Sequence, residues 1–308
     1  MNMPTISIED FAVCTGCEVA VLDIGEALLG LLPKLDFVHA QVLMDNKWWG
    51  PKGDKEKMEV ASADVGIITG GIRTEEDKHI ALEMRKNVKT LISLGMCAVH
   101  GGIPALANIS TREQMLATVY GTHTTDKGEN PPKGIPGLLD RVYAVDEVIK
   151  PDVQIPGCPP NPDHIADAVV ALLSGKPWSL PEKSVCDDCP TKREKKALVN
   201  IKRPLQNPDF KQGAPLSEMR CFNEQGILCN GPATRTGCGG HEKTPRCVAA
   251  FMPCRGCMGP IRAGAKPMVD MMGALSSIGL DAKQIEDRMA HFNRYIGSHQ
   301  NLRVLPKK

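Results

Sequence analysis

The 308-residue sequence has no apolar run of 18 residues, no excess of charge of one sign, no internal repeat and no long low-complexity segment. A membrane-spanning helix needs an apolar run of about that length, so no membrane role is expected. Lys plus Arg number 37 against 36 Asp plus Glu. A chain so nearly neutral exerts no global attraction on nucleic acid or an acidic membrane. The first residues, MNMPTISIED, lack the basic, then apolar, then small-residue order of a secretory signal. A cytoplasmic protein is the expectation. Core material is not scarce: 42% of residues are hydrophobic, enough for one large globular domain or two ordinary ones.

Cysteine is present in excess. A reducing compartment leaves thiols free to bind metal and does not maintain disulfides. Twelve in 308 residues also falls well short of the roughly 8–10% of a disulfide scaffold. Eight of the twelve lie between Cys186 and Cys257. Metal binding explains them better than cross-linking.

The N-terminal part alternates strand and helix signals. Residues 5–8 (TISI) read as a strand and Val19–Leu32 as an amphipathic helix closed by Pro33. Phe37–Met44 and Val65–Thr69 read as strands, Glu75–Asn87 as a helix and Thr90–Leu94 as a strand. A loop at Gly134–Gly137, a strand at Asp152–Ile155 and a helix at His164–Leu173 follow. Strands that are continuously apolar and alternate with helices indicate a parallel sheet covered on both faces. Near Ser174 the composition changes, with Gly175, Pro177 and Pro181 marking a boundary. The expected division is residues 1–177, an α/β domain, and 178–308, cysteine-rich and mostly irregular or helical. From Cys186 to Pro260 turns dominate, and bound metal would have to supply part of the folding free energy. Two helices are expected at the end, Pro267–Ile278 and Asp281–Tyr295, the second capped by Asp281.

Cys14 and Cys17 follow the first strand, Cys97 the strand ending near Leu94, and Cys158 the strand ending near Ile155. The carboxyl ends of strands in an open parallel sheet converge on one crevice, the usual ligand site of that architecture. Four thiolates meeting there suit either zinc or a 4Fe-4S cluster. Gly16, Gly95, Gly101, Gly102 and Gly157 permit close backbone approach, and Pro156, Pro159 and Pro160 stiffen the last loop. Cys14-x-x-Cys17 alone also fits a thioredoxin-like dithiol, which leaves Cys97 and Cys158 unexplained. The other eight divide into Cys186, Cys189, Cys221 and Cys229, then Cys238, Cys247, Cys254 and Cys257. Structural zinc in a scaffold protein satisfies that arithmetic as well as clusters do.

CTGC after a first strand, then GMCAVHGGIPA, then IPGCPPNPDHIADAVVALLSGKP and a cysteine-rich C-terminal part together resemble the small, electron-transferring subunit of nickel-iron hydrogenases. The branch most similar is the methyl-viologen-reducing, deazaflavin-non-reducing hydrogenase of methanogens, with the deazaflavin-reducing relative as the rival. The resemblance implies a flavodoxin-like N-terminal domain and three 4Fe-4S clusters, with no catalytic residue in this chain. The proximal cluster would sit on Cys14, Cys17, Cys97 and Cys158, close to a nickel-iron site on a separate large subunit. The distal cluster would use Cys186, Cys189, Cys221 and Cys229. The medial would use Cys238, Cys247, Cys254 and Cys257, with Cys247 standing where exported relatives carry proline. The implied acceptors are a 2Fe-2S adaptor subunit and a heterodisulfide reductase flavoprotein complex.

Other features carry two readings each. Thr15 suits a cluster or proton-relay contact, or a satisfied loop hydroxyl; Glu18 suits helix capping or proton transfer. His100 and His241 neighbour expected ligands, as hydrogen-bond donors more than as ligands. Trp48-Trp49 anchors a loop in the core or an interface. Lys192-Arg-Glu-Lys-Lys196 is a solvated face or a docking patch. The 14 methionines are core or interface filler.

Overall fold

The strand TISIED forms β1 (Thr5–Asp10), whose four middle residues are buried, as a strand covered on both faces requires. The computed structural model describes residues 3–44, 49, 55–123, 125, 134, 136–197, 200–202 and 206–304. After β1 come α1 (Gly16–Leu22), α2 (Glu26–Leu31) and β2 (Asp36–Ala40), then β3 (Ala63–Thr69), β4 (Ile72–Thr74), α3 (Glu75–Asn87) and β5 (Val88–Leu94). Next are α4 (Met96–His100), α5 (Arg112–Tyr120), β6 (Leu138–Tyr143), β7 (Val153–Ile155) and α6 (Pro162–Leu173). β1, β2, β3, β5 and β7 make one sheet in the order β2-β1-β3-β5-β7, every pair parallel. β4 and β6 form a separate antiparallel pair.

α3 begins where its sequence says it should. Thr74 Oγ1 accepts the Asp77 N–H at 3.0 Å, and the Asp77 carboxylate accepts the Thr74 N–H at 2.9 Å. That reciprocal pair satisfies two amides left open at a helix start. The helix lies close to β3 at Gly66, where an added Cβ would come within 2.8 Å of Val88 and 2.9 Å of Met84. Ile68, Ile72, Met84, Leu91 and Ala98 fill the core between sheet and helix.

Three elements depart from the sequence expectation. The helix expected over Val19–Leu32 starts earlier, at Gly16, and breaks at Gly25, whose φ is 70°. The strand expected over Phe37–Met44 stops at Ala40, because Gln41 turns inward: its side-chain amide donates to Glu9 at 2.9 Å and accepts the Asp10 N–H at 3.1 Å. In place of one helix over Asp281–Tyr295 there is a short 3-10 turn, Ala282–Gln284, and then α10 (Arg288–Phe292). Asp281 caps only the turn, and Asp287 accepts the Ala290 N–H for the helix.

The chain divides into two units, Met1–Ala166 with Tyr295–Lys308, and Asp167–Arg294. The boundary falls inside α6. In the first unit the C-terminal segment packs back on the α4 region: the Ser298 N–H donates to His100 O at 3.2 Å, its hydroxyl to Val142 O at 3.0 Å, and Asn108 Nδ2 to Gly297 O at 3.2 Å. The second unit contains α7 (Val185–Asp188), α8 (Arg246–Ala249), α9 (Pro267–Ser277) and α10, with several 3-10 turns between them. One of its cores gathers Val185, Met219, Phe222, Ile227, Cys229, Val248 and Cys254; another forms around Met271, Leu275 and Phe292. Among the described residues no helix is long and apolar enough to cross a membrane. Trp48 lies outside the described residues; Trp49 packs on the core beside α3, its ring 6.2 Å from that of His39.

Candidate metal centres

Cys14 stands in the turn after β1, and Cys17 sits in the first turn of α1, where it is buried. Between them Thr15 has a left-handed backbone, φ 66° and ψ 2°, which folds the CTGC turn tightly enough for both thiols to serve one site. Cys97 is the second residue of α4, immediately after β5, and Cys158 follows β7 at a cis Cys158–Pro159 bond. The two loops are tied through the backbone: the Gly95 N–H donates to Ile155 O and the Met96 N–H to Gly157 O, each at 2.8 Å. The four cysteines thus leave the carboxyl ends of β1, β5 and β7.

The four thiols are close enough to feel one another. Burial pushes the Cys17 thiol well up, and Glu18, Cys97, Cys158 and Cys14 push it further. Burial, then Cys158 and Cys14, lifts Cys97 to about 12. Cys158 is raised by burial and by Cys14. Deprotonated together, such sulfurs repel one another unless a cation lies between them, and a coordinated metal reverses the shift outright. The surrounding backbone leaves room for a bulky group. A Cβ on Gly95 would run into Cys17 Sγ, one on Gly102 would stand 2.5 Å from Cys97 Sγ, and one on Gly16 3.4 Å from Cys14 Sγ.

Cys186, Cys189, Cys221 and Cys229 form a second set in the other unit. Cys186 lies in α7 and Cys189 at its end. Burial, then Cys221 and Cys189, lifts Cys186 to about 12. Cys221 is raised mainly by burial, with Cys189 adding to it, and Cys229 is pushed well up by burial, with Cys186 and Cys221 adding. Gly231 repeats the cradle: its Cβ would stand 3.2 Å from Cys186 Sγ and 3.5 Å from Cys229 Sγ. Asn223, buried, holds Cys229 from both sides, accepting its N–H and donating to its carbonyl, each at 2.9 Å.

In the remaining set Cys247 contributes to raising Cys238, after burial, and Cys257 contributes to raising Cys254, after burial and Cys229. The Cys254 N–H donates to Cys229 Sγ at 3.2 Å, so the second and third sets abut. Among the described residues no three His, Cys, Asp or Glu side chains close to the spacing of a single metal ion. The donor set is all sulfur, and the fit is to groups that thiolates hold, iron-sulfur clusters among them.

Glu18, in the first turn of α1, is buried, and its carboxylate lies against Asp10, whose carboxyl is pushed up to about 7 by burial and by Glu18. His100 packs edge-on against His299 at 5.4 Å, and His241 Nε2 meets Asp167 Oδ2 at 3.2 Å. Sequence reading missed Asn223, Asp10 and Glu224. Their partners are distant or not patterned, and only the recurrence of polar residues beside cysteines hinted at them.

Residues 14–172 match the family model described as NADH ubiquinone oxidoreductase, 20 kDa subunit. The chain is 40% identical over 283 residues to a subunit of the vhu-type F420-non-reducing hydrogenase of Methanocaldococcus jannaschii, covering 92% of this chain and 91% of that one. It is 36% identical over 280 residues to a subunit of the F420-non-reducing hydrogenase of Methanothermobacter thermautotrophicus, covering 89% and 83%. The structure aligns with a chain of an NAD+-reducing [NiFe]-hydrogenase in the H2-reduced state at TM-score 0.51 and 27% identity, over 58% of this chain and 96% of that one. A chain of the actinobacterial-type NiFe-hydrogenase from Ralstonia eutropha shares the fold at TM-score 0.52 and 16% identity, over 90% and 87%. With identity at this level over nine-tenths of its length, the chain belongs to the F420-non-reducing branch of the nickel-iron hydrogenase small subunits.

Proposed function

We propose that this chain is the electron relay of a cytoplasmic hydrogenase, holding three 4Fe-4S clusters between a nickel-iron large subunit and an iron-sulfur acceptor. The assignment is Cys14, Cys17, Cys97 and Cys158 as proximal ligands, Cys238, Cys247, Cys254 and Cys257 as medial, and Cys186, Cys189, Cys221 and Cys229 as distal. The observation that carries it is the convergence of Cys14, Cys17, Cys97 and Cys158 beyond the carboxyl ends of β1, β5 and β7, and of Cys186, Cys189, Cys221 and Cys229 in the second unit, beside glycines that leave their sulfurs room. When bound, all-cysteine clusters supply one-electron redox chemistry over a span of roughly −700 to +450 mV.

The protein's own part is to hold, space and insulate. The Gly95 and Met96 amides lock the Cys97 loop to the Cys158 loop. Asn223 fixes the backbone of Cys229, and the Cys254 amide donates to the Cys229 sulfur, a bond that stabilises a thiolate and ties two ligand sets together. Buried Val185, Phe222 and Val248 keep water from that region, lowering the local dielectric and so sharpening the effect of each amide.

The acceptor is read as a 2Fe-2S adaptor subunit leading to a heterodisulfide reductase flavoprotein complex. Anaerobic purification through a tag on this chain tests that: the large subunit and the adaptor should be retained, and hydrogen should bring up low-temperature paramagnetic signals. Recovery with a flavin-bearing deazaflavin-binding subunit in their place contradicts the choice of acceptor.

A further inference from the structure

Lys192-Arg-Glu-Lys-Lys196 joins the distal set to nothing in the relay, yet it is built into place. All five residues are exposed. Beneath them the Glu224 carboxylate is buried, with 3% of its side chain exposed, and is spent on the loop's backbone. It accepts the Glu194 N–H on both oxygens at 2.9 Å, the Lys195 N–H at 2.5 Å and Arg220 Nε at 3.3 Å. Lys195 is held in the left-handed region, φ 62°. The loop's ends are fixed too: the Lys192 N–H donates to Met219 O and the Cys221 N–H to Lys192 O, each at 2.8 Å, while Arg220 donates to Lys196 O at 2.5 Å. Arg193 donates to the carbonyl of Cys186 at 3.0 Å.

A merely solvated lysine run needs none of this. Burying a carboxylate is costly unless amides and a cation satisfy it. Here that arrangement fixes an exposed turn that carries Lys192, Arg193, Lys195 and Lys196 and shares its hydrogen bonds with Cys186 and Cys221. The whole chain carries a formal charge of only +1, so the charge is local and not a general surface property. Glu194 offsets part of it, pairing with Lys192 at 3.2 Å and with Arg220 at 3.5 Å. No aromatic residue interleaves the five to stack a base, as a single-strand nucleic-acid site would need. A row of charges on an open loop matches a broad acidic protein surface.

We propose that the Lys192–Lys196 loop is the electrostatic docking surface for an acidic electron-carrier protein, placed over the Cys186, Cys189, Cys221 and Cys229 set. The inference rests on the reading of that set as the relay's exit. Complementary charge at such a surface speeds encounter and fixes register, and its effect fades as salt screens it.

The test uses the intact hydrogenase complex with Lys192→Gln, Lys195→Gln and Lys196→Gln combined, and an acidic plant-type 2Fe-2S ferredoxin as probe. Titration calorimetry gives its Kd across a salt series, and hydrogen-driven reduction of the ferredoxin is compared with that of methyl viologen. The variant should bind ferredoxin about tenfold more weakly at low salt, with a flattened salt dependence and an unchanged viologen rate. Unchanged affinity and salt slope overturn the proposal. So does an equal fall in viologen reduction, which puts the defect inside the chain, or wild-type binding of single-stranded DNA as tight as that of ferredoxin. Iron content of the wild-type complex separates the two levels: lack of iron at the exit set removes the relay reading and the docking role with it, whereas full iron with salt-independent ferredoxin binding removes the docking role alone.

Discussion

Cys17 and Gly95 show how a single residue decides whether neighbouring thiols have room to share one site. Cys17 is buried by its position in the first turn of α1, and its sulfur occupies the space that a side chain at position 95 would take. Gly95 also has φ 86°, a region that L side chains rarely adopt. Replacing Gly95 by Ala should therefore cost the first cluster, lowering iron per chain by about one third with three four-iron groups in place. Gly25→Ala is the control: its φ is 70°, but the nearest atom to the new Cβ is Asp23 O at 4.0 Å. That variant carries similar backbone strain and should keep its iron. Iron analysis of the two proteins side by side separates a sulfur clash from a bent backbone. At this scale the sequence was legible where a cysteine follows a strand. Asn223, six residues before Cys229, was not: what matters is a side chain bonded to both backbone groups of a ligand, which no spacing rule announces.

The elements read from sequence with uneven success, and the reason lies in their length. α3 carries an acidic first turn, a Thr-Asp capping pair and a basic last turn, so its 13 residues were predicted from end to end. β4 has three residues and β6 pairs with it across a long sequence gap, so neither had a strand pattern strong enough to name. The C-terminal segment was harder still, because nothing in Tyr295–Asn301 hints that it folds back on α4. Its hold there includes a titratable bond, His299 Nε2 to Asp146 Oδ1 at 2.7 Å. That bond raises the His299 pKa above its ordinary value, against burial, with Asp146 and Glu147 favouring the charged ring, Arg141 opposing it and the His100 ring 5.4 Å away. A histidine whose folded pKa is raised stabilises the fold fully below its unfolded value of about 6.5, and that contribution is lost as pH rises through the folded value. Amide exchange at Gly297–Asn301 should consequently quicken, beyond the intrinsic base-catalysed trend, above about pH 6.5 in the wild type. His299→Gln should remove that extra pH dependence; an identical profile in both proteins refutes the latch.

Taken whole, the molecule pairs a sheet that its sequence strongly specifies with a unit that its cysteines help to hold. The parallel sheet followed from alternating apolar runs and helices, whereas its order β2-β1-β3-β5-β7 is set by pairing that no local pattern announces; the first four cysteines follow the carboxyl ends of its strands. The second unit offers short helices and 3-10 turns, with cysteines inside its core. The two compact units divide between Ala166 and Asp167, inside α6, and Gly175, Pro177 and Pro181 lie just past the end of that helix. A unit whose core contains Cys229 and Cys254 needs those thiols either neutral or bound, and bound metal then contributes directly to its folding. The most direct measurement is iron, acid-labile sulfide and zinc on one anaerobic preparation. Three four-iron clusters on twelve cysteines require about twelve iron and about twelve sulfide per chain, with zinc near zero. A colourless protein with about three zinc per chain and no labile sulfide contradicts the account.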